Sequence, residues 1–358
     1  MNKKIKELLA PIYKQIILIL VALLIATIFL ALSDYEPLAI IKGVIYSFTN
    51  DFPGTIRWSI PLILSGLAVC ITYKSEFFNL GVDGQIYIGA SAATIAALSM
   101  PKSVPAFLAI SLVILVAMIA GALYAMIPAL MKVYLNTNEV VSTILFNFIA
   151  SLFVEFLVSG PMLDRSEGTN LNASPIIPEN TWMPRISFMQ PSTANIGIIL
   201  AIIIAIVMAF IFFKTTLGHE IKIVGANPVL AKYSGMNPKK NVIQVMLISG
   251  GIAGLVGAIE VMAIQHRLLP GFNPDFGFDG IVVSLLGNNN PIGVFFSGIF
   301  FGALKNGGVN MERMSDVPSA VSDIVIAIVI LIIGVKLSVP IFKKLQNKKR
   351  NSEKEAAK

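Results

Sequence analysis

Apolar runs long enough to cross a lipid bilayer recur along the whole chain, and they limit the fold more than any other feature. A helix needs about 20 consecutive, mostly apolar residues to cross the hydrocarbon core of a bilayer. Such runs extend from residues 12–32 near the start to residues 319–337 near the end. Charged residues make up only 13% of the 358, about half of the roughly 25% usual in globular proteins. The sequence therefore predicts an all-α polytopic membrane protein rather than a soluble enzyme.

The number and direction of the spans follow from the apolar runs and the basic residues between them. Lysines and arginines concentrate before the first run, in the loop 214–241 and after the last run, and the positive-inside rule places such segments in the cytoplasm. The first run exceeds the roughly 7–15 apolar residues of a signal peptide, which favours an uncleaved helix over that alternative. We therefore predict about ten spans with both termini cytoplasmic, over residues 12–32, 58–73, a third run ending near 100, 106–127, 140–158, 193–213, 242–264, 279–286, 292–309 and 319–337.

The spans form one transmembrane domain with a short tail. An internal similarity links the tetrapeptide 81–84, after the second span, with 277–280, after the seventh, since both read G-x-D-G. The second and seventh spans run in opposite directions, so we expect the two breaks to lie on opposite sides of the bilayer. Matched broken helices in inverted halves indicate a transport path between them. We assign 1–342 to the membrane domain, with halves at about 58–158 and 242–337, an external loop at 160–192 and a cytoplasmic loop at 214–241, and 343–358 to a basic cytoplasmic tail.

Local signals mark helix ends and helix packing. Asn138 is suited to the N-cap of the fifth span. The small residues of Gly250-x3-Gly254 and Gly298-x3-Gly302 favour close helix approach, which in lipid depends on van der Waals contact. We assign these glycines to the architecture and not to a substrate site.

The loop 214–241 carries five lysines against one acidic residue. Asn227 followed by Pro228 predicts a helix start, with the proline at the first helical position. Residues 229–234 can form a short helix, and Gly235 is suited to its C-terminal end. A short, capped helix between two membrane segments offers a rigid surface to a soluble partner. The alternative is a long connection with incidental lysines.

Catalytic and metal-binding motifs are absent from the sequence. It lacks G-x4-G-K-[ST], H-E-x-x-H and G-x-S-x-G, and Cys70 is its single cysteine. The two histidines, His219 and His266, are predicted on opposite sides of the membrane and so share no metal. We therefore expect no enzyme activity, metal or cofactor in this chain. The formal net charge of +7 lies at the tails and the central loop, so it reports orientation rather than nucleic-acid binding.

Polar side chains inside predicted spans are costly in hydrocarbon, so each needs a physical reason. Helix–helix hydrogen bonding is an alternative to lining a path. For Glu155, Glu260 and Asp323 we favour interfacial solvation or helix capping. Because no span interior is predicted to hold an arginine, a neutral, hydroxyl-rich solute is favoured over an anion. Our candidates for lining a translocation path are Asn79, Asp83, Gln85, Asn147, Asp279 and Asn288.

Five stretches, in order along the chain, resemble permease subunits of bacterial ABC importers, in the family for branched-chain amino acids and simple sugars. The closest resemblance is to its purine-nucleoside branch, which is fed by a lipoprotein binding protein. Asp83 stands where nucleoside permeases commonly carry glutamate, which keeps the charge but shortens its reach. The stretches are 78–85, 138–144, 225–228, 277–281 and 317–325. The resemblance also implies coupling to an ATPase through Gly218, Gly225, Asn227, Pro228, Ala231 and Gly235.

The resemblance implies nucleoside import by a multi-pass protein of the bacterial plasma membrane. ATP and magnesium would be bound by a separate ATPase subunit. A second permease chain, identical or different, and an extracellular or periplasmic lipoprotein binding protein would complete the importer, with the loop 160–192 contacting the latter. The same machinery could carry a simple sugar or a branched-chain amino acid. A further alternative is a secondary transporter driven by protons through Asp83, Glu155 or Asp323.

Overall fold

The computed structural model describes residues 20–166, 171–189, 192–318, 321, 323–329 and 331–332. Over these residues the chain is helical and has no strand; an isolated β-bridge joins Arg185 to Asn195. Residues 261–265 form a π-helical turn directly after the α-helix that ends at Glu260, and residues 323–329 are helical. The other helices are α1 (Leu20–Leu32), α2 (Ala39–Thr49), α3 (Phe52–Lys74), α4 (Val82–Leu98), α5 (Ala106–Leu135), α6 (Glu139–Ser159), α7 (Gly197–Lys214), α8 (Thr216–Ala226), α9 (Pro228–Tyr233), α10 (Pro238–Glu260), α11 (Phe276–Leu286) and α12 (Pro291–Met314).

Six of the described helices are long and apolar enough to cross a membrane: α3, α5, α6, α7, α10 with its π-helical turn, and α12. Helices α1, α2 and α11 are apolar but shorter. The all-α membrane fold predicted from the sequence is thus confirmed, whereas the ten-span count stays a prediction. The first 19 residues, the tail 343–358 and much of the last predicted span lie outside the described residues.

The chain divides into two compact units, Pro53–Gly302 and Met1–Phe52 with Ala303–Lys358. In the smaller unit, α2 packs against the C-terminal part of α12. Asn306 and Asn310 of α12 donate hydrogen bonds to the Asp51 carboxylate at 3.0 and 3.2 Å. Asn310 also donates to the Ser47 hydroxyl at 3.1 Å. Polar side chains therefore hold these two apolar helices together.

In the larger unit, burial separates central helices from peripheral ones. In α3 and α10, 83% and 72% of the most apolar window is buried, compared with 22–28% in α5, α6 and α7. The exposed side chains of these three are mainly leucine, isoleucine, valine and phenylalanine. Such faces are suited to lipid, because a span exposes apolar side chains to the hydrocarbon.

The small-residue face of α10 packs between α4 and α5. A Cβ atom added at Gly254 would collide with the carbonyl oxygen of Ala117 in α5, and one at Gly257 would collide with the carbonyl of Ile86 in α4. Gly250 meets the backbone of Gly121 in the same way. Direct backbone contact confirms that this stripe is architectural.

The second small-residue pair, in α12, packs on α3. Cβ atoms at Gly298 and Gly302 would collide with Ile63 and Ser59, respectively.

The predicted N-cap of α6 is confirmed as well. The Asn138 side chain accepts hydrogen bonds from the backbone N–H groups of Val140 and Val141, at 3.0 and 3.3 Å.

Several helices are longer than the predicted spans, and two of these contain an internal proline. Helix α3 begins at Phe52 and not near residue 58, where the span was predicted to start, so Pro61 lies well inside the helix. Helix α5 continues through Pro128 to Leu135. A proline costs a membrane helix one backbone hydrogen bond, which neighbouring groups can compensate, so neither proline ends its helix.

We predict that Gly254→Ala destabilises the larger unit, because its new methyl group meets the Ala117 carbonyl. Overpacking of this kind costs about 1–3 kcal/mol, or a fall of roughly 2–10 °C in unfolding temperature. Thermal unfolding of the purified protein in detergent measures the change. Gly251→Ala is the matched control, because the nearest atom to its added Cβ is 3.6 Å away. Equal destabilisation by both substitutions would contradict the packing argument.

Candidate functional site

Two of the candidate path residues, Asn79 and Gln85, bond to each other beside α10. The Asn79 amide nitrogen donates to the Gln85 side-chain oxygen at 3.2 Å and to the Ser249 hydroxyl at 3.0 Å. The Gln85 amide nitrogen donates back to the Asn79 side-chain oxygen at 3.2 Å. Both side chains are almost fully buried. In this conformation they hold the segment between α3 and α4 against α10.

Asn147 of α6 bonds to the backbone where α4 begins. Its side-chain oxygen accepts from the Gly84 N–H and its amide nitrogen donates to the Leu80 carbonyl, both at 2.8 Å. Thr143, one turn away, accepts from the Leu80 N–H at 3.3 Å. We considered two roles for Asn147, lining a path and hydrogen bonding between helices. In this structure Asn147 hydrogen-bonds to a neighbouring segment.

Asp83 joins the N-terminal ends of α4 and α11. One carboxylate oxygen, Oδ1, accepts from the Gly277 N–H at 2.7 Å and from the Asn273 amide nitrogen at 2.8 Å. The two G-x-D-G tetrapeptides therefore touch, and the prediction that they lie on opposite sides of the bilayer is wrong. The second tetrapeptide lies within the first turns of α11, which begins at Phe276, so it is not a break between helices. The prediction of two inverted halves loses this support.

The Asp83 side chain is deeply buried at this junction. Asp83 is only 5% exposed. It lies in the first turn of α4 and accepts a hydrogen bond from the first turn of α11, and the positive ends of both helix dipoles stabilise a carboxylate there. Within the described part of the chain, its second oxygen, Oδ2, has no hydrogen-bond partner. A buried acceptor of this kind is a candidate contact for a polar ligand.

The other two candidate path residues lie at opposite ends of α11. Asp279 is near the helix start and is 6% exposed. Asn288 is exposed in the turn before α12, with a φ angle of 55°. Eleven residues of α-helix extend about 16 Å, so the structure does not bring Asn288 to the Asp83 junction.

A buried ion pair was missed by the sequence analysis. Arg57 and Glu260 pair at 3.4 Å, with side chains 14% and 2% exposed. The guanidinium lies 4.0 Å from the ring centre of Trp58. The prediction that Glu260 is solvated or caps a helix is therefore wrong, and Arg57 lies in the second turn of α3, although the span was predicted to begin at residue 58. Because α3 begins at Phe52, Arg57 falls inside it, and a carboxylate buried in α10 needs a counter-charge.

The basic loop folds into helices at its predicted positions. Pro228–Tyr233 forms the short helix α9, and the Asn227 side chain caps it, accepting from the N–H groups of Val229 and Leu230 at 3.0 and 3.1 Å. Gly235 follows with a φ angle of 80°, the left-handed conformation expected after a helix end.

Three of the six predicted coupling residues, Gly218, Gly225 and Ala231, pack inside this segment, whereas Asn227, Pro228 and Gly235 are exposed. Gly218 packs on the carbonyl of Ile211, Gly225 packs on the carbonyl of Lys74, and Ala231 is fully buried. The exposed apolar side chains of α9 are Val229, Leu230 and Tyr233, at 64%, 57% and 88% exposure. A six-residue helix is too short for its apolar residues to show a helical periodicity. The sequence therefore could not tell the exposed face of α9 from its buried face.

The comparison with protein families agrees with this architecture. Residues 53–334 match the family described as branched-chain amino acid transport system / permease component. The chain belongs to this permease family. The permease is accordingly a multi-pass membrane protein and a transport subunit. Its path and coupling residues stay predictions.

Individual relatives cover most of the permease. The guanosine ABC transporter permease protein NupP of Bacillus subtilis is 37% identical over 78% of this chain and 80% of its own length. The nucleoside ABC transporter permease protein NupB of Lactococcus lactis is 33% identical over 95% and 94%. The glucose ABC transporter permease protein TsgB13 of Haloferax volcanii is 32% identical over 88% and 85%. No solved structure matches the permease.

The described parts of the loop 160–192 contact the end of α10 through hydrogen bonds and ring stacking. The N–H of Ile177 donates to the His266 carbonyl at 2.9 Å, and that of Met183 to the Met262 carbonyl at 3.0 Å. The rings of Trp182 and His266 stack with centres 4.0 Å apart. Burial, reinforced by the nearby Arg185 charge, lowers the pKa of His266 below its usual value.

We predict that acidification loosens this loop. Since the folded-state pKa of His266 is lowered, its contribution to stability is complete above its ordinary value, about 6.5, and is lost as pH falls through the folded pKa. Protease cleavage within 160–192 should therefore accelerate between about pH 7.5 and 5.5. His266→Asn, which tolerates the local φ of 54°, should remove this pH dependence while weakening the loop at every pH. An unchanged pH profile in that variant would contradict the assignment.

Proposed function

We propose that this permease is the membrane-spanning subunit of an ATP-driven importer of nucleosides. The observation that carries the proposal is similarity over almost the whole chain to a nucleoside permease, at 33% identity over 95% of the residues. A guanosine permease is 37% identical over 78%. The 32% identity to a glucose permease supports a sugar as the second candidate substrate.

In this proposal the permease has about ten spans with both termini in the cytoplasm. The shorter helices α1, α4 and α11 and the last predicted span, 319–337, would add to the six long ones. The basic residues of 214–241 favour a cytoplasmic position for α8 and α9. Two inverted halves, about 58–158 and 242–337, would enclose the path with a second permease chain, identical or different. A lipoprotein binding protein would deliver the solute at the loop 160–192. A separate ATPase would bind ATP and magnesium.

The contacts of α8 support a route from the ATPase to the path. A push on the exposed face of α9 would move α8, whose Gly225 packs on the Lys74 carbonyl at the end of α3. The next residue, Ser75, donates a hydrogen bond to Asn241 of α10 at 2.9 Å. Motion would then reach the segment 75–81, which holds Asn79 and leads into α4 and Asp83.

The proposed path would be lined from Asn79 and Gln85 to Asp83. Neutral amides and one carboxylate suit a solute with many hydroxyl and N–H groups, because both accept hydrogen bonds. The charge of Arg57 is compensated by Glu260, so it does not by itself create an anion site. Both considerations favour a neutral polar solute such as a nucleoside.

Uptake of labelled guanosine tests the substrate assignment. We predict that deleting the gene abolishes uptake in a strain without another nucleoside importer, and that restoring it recovers uptake. Excess unlabelled nucleosides should inhibit, whereas glucose, ribose and leucine should not. Inhibition by a sugar alone would shift the assignment to the second candidate.

The exposed face of α9 tests the coupling proposal. We predict that Leu230→Ala with Tyr233→Ala leaves membrane insertion intact and lowers transport at least about 10-fold, since truncating hot-spot residues at an interface costs about 2 kcal/mol or more. Transport and ATPase binding are measured in proteoliposomes. Gly225 is a poor target, because any side chain there collides with the Lys74 carbonyl.

The matched control for this double variant is Phe148→Ala. Phe148 lies in α6, distant in sequence from α9, and its side chain is 63% exposed. It should leave transport and ATPase binding unchanged. Normal transport by the α9 double variant would show that this face is not the docking surface.

A further inference from the structure

A short strap, residues 271–275, covers the Asp83 carboxylate. Left-handed backbone conformations bound the strap, with φ angles of 66° at Gly271 and 58° at Asp275. Between them, the Asn273 amide nitrogen donates to Asp83 Oδ1 at 2.8 Å. The Phe272 ring packs edge-to-face on Tyr87 of α4, with ring centres 5.2 Å apart. The strap thus places an aromatic ring and an N–H donor on adjacent positions of one surface.

The surface beneath the strap consists of groups that recognise polar aromatic solutes. Asp83 and Tyr87 are four residues apart and so share one face of α4. A carboxylate accepts hydrogen bonds from N–H and O–H donors, and a tyrosine ring packs against other aromatic rings. A nucleoside carries both kinds of group, a planar base and a ring of N–H and hydroxyl donors.

We propose that Asp83 and Tyr87 form a nucleoside subsite, and that Phe272 and Asn273 occupy it in this conformation as an internal substitute for the substrate. This inference rests on the proposed nucleoside function. On binding, the base replaces the Phe272 ring at Tyr87. A substrate donor binds Asp83, including Oδ2, which is buried and has no hydrogen-bond partner among the described residues.

The packing around Oδ2 shows what has to move. A Cβ atom at Gly277 would lie only 2.8 Å from this oxygen, so the start of α11 closes over it. Substrate therefore reaches Oδ2 when the strap and the start of α11 move away from α4. The two left-handed residues are positions at which the backbone can absorb such a change.

Two substitutions with opposite expected effects test the subsite. Asn273→Ser retains a side-chain oxygen to cap the Phe276 N–H, which Asn273 now does at 3.0 Å, but replaces the amide N–H that reaches Asp83 with a shorter hydroxyl group. Since the strap then competes less, the Kd for guanosine should fall about 3- to 10-fold. Asp83→Asn keeps an oxygen for Gly277 and Asn273 but loses the charged second acceptor. Its Kd should rise about 10-fold, the loss being partly offset by a weaker strap contact.

The readout is equilibrium binding of labelled guanosine to the purified permease–ATPase complex without binding protein, so that only the affinity of the permease contributes. Tyr87→Leu should weaken binding about 5- to 50-fold, the range for loss of one base–aromatic contact, whereas Tyr87→Phe should remain within about twofold. These two variants leave Asp83 in place, so they test the subsite even where an Asp83 variant does not assemble.

Substrate analogues locate the donor that binds Asp83. We compare 2′-deoxyguanosine and 3′-deoxyguanosine with purine riboside, which lacks the N–H donors of guanine. An analogue without the relevant donor should bind Asp83→Asn at least as tightly as the native complex, because it loses no contact and the strap competes less. Either result supports the subsite and assigns the contact to the ribose or to the base.

Three outcomes would overturn the subsite: Asn273→Ser raises the Kd or leaves it unchanged, Asp83→Asn leaves it unchanged, or Tyr87→Leu binds like Tyr87→Phe. So would a complex that transports guanosine with its binding protein but binds none on its own. A complex that transports no nucleoside under any condition would instead refute the proposed function, so the two failures are distinguishable.

Discussion

The rest of the larger unit depends on direct backbone contact along the small-residue face of α10. Gly250 and Gly254 let α5 approach, and Gly257 lets α4 approach, with no side chain between the helices. In lipid, helices associate through such van der Waals contact and through hydrogen bonds, because apolar burial drives them together only weakly. Ser249 on the same stretch of α10 accepts a hydrogen bond from Asn79. Helix packing therefore positions the polar segment that leads into α4.

The Asp83 junction shows how a carboxyl group is accommodated between two helix ends inside the larger unit. Its burial is compensated by the positive ends of two helices and by two hydrogen bonds to one oxygen. Burying ionisable groups costs free energy, and in membrane proteins such groups usually serve a function. The Arg57–Glu260 pair is the second such feature in the same unit. The polar chemistry of this unit is thus concentrated around the ends of α3, α4, α10 and α11.

In the segment from α7 to α10, different residues pack the helices together and form the exposed surface. The sequence pattern does not distinguish these two groups. Gly218, Gly225 and Ala231 allow α8 and α9 to pack closely, and Asn227 caps α9. Asn227 and the apolar residues Val229, Leu230 and Tyr233 are exposed on the surface of this segment. Residues of a motif can therefore shape a segment while its neighbours form the exposed apolar surface.

Local patterns alone determined the helical membrane fold, the cap at Asn138, the capped α9 and the glycine stripe of α10. Each depends on residues within a few positions of one another, where helical periodicity and cap chemistry act. Only the tertiary structure decided that Asp83 meets Gly277, 194 residues away, and that Arg57 pairs with Glu260, 203 residues away. It also showed that Asn288 lies apart from the junction. Such contacts depend on how separate helices pack in three dimensions, and a single sequence carries no periodic signal across those separations.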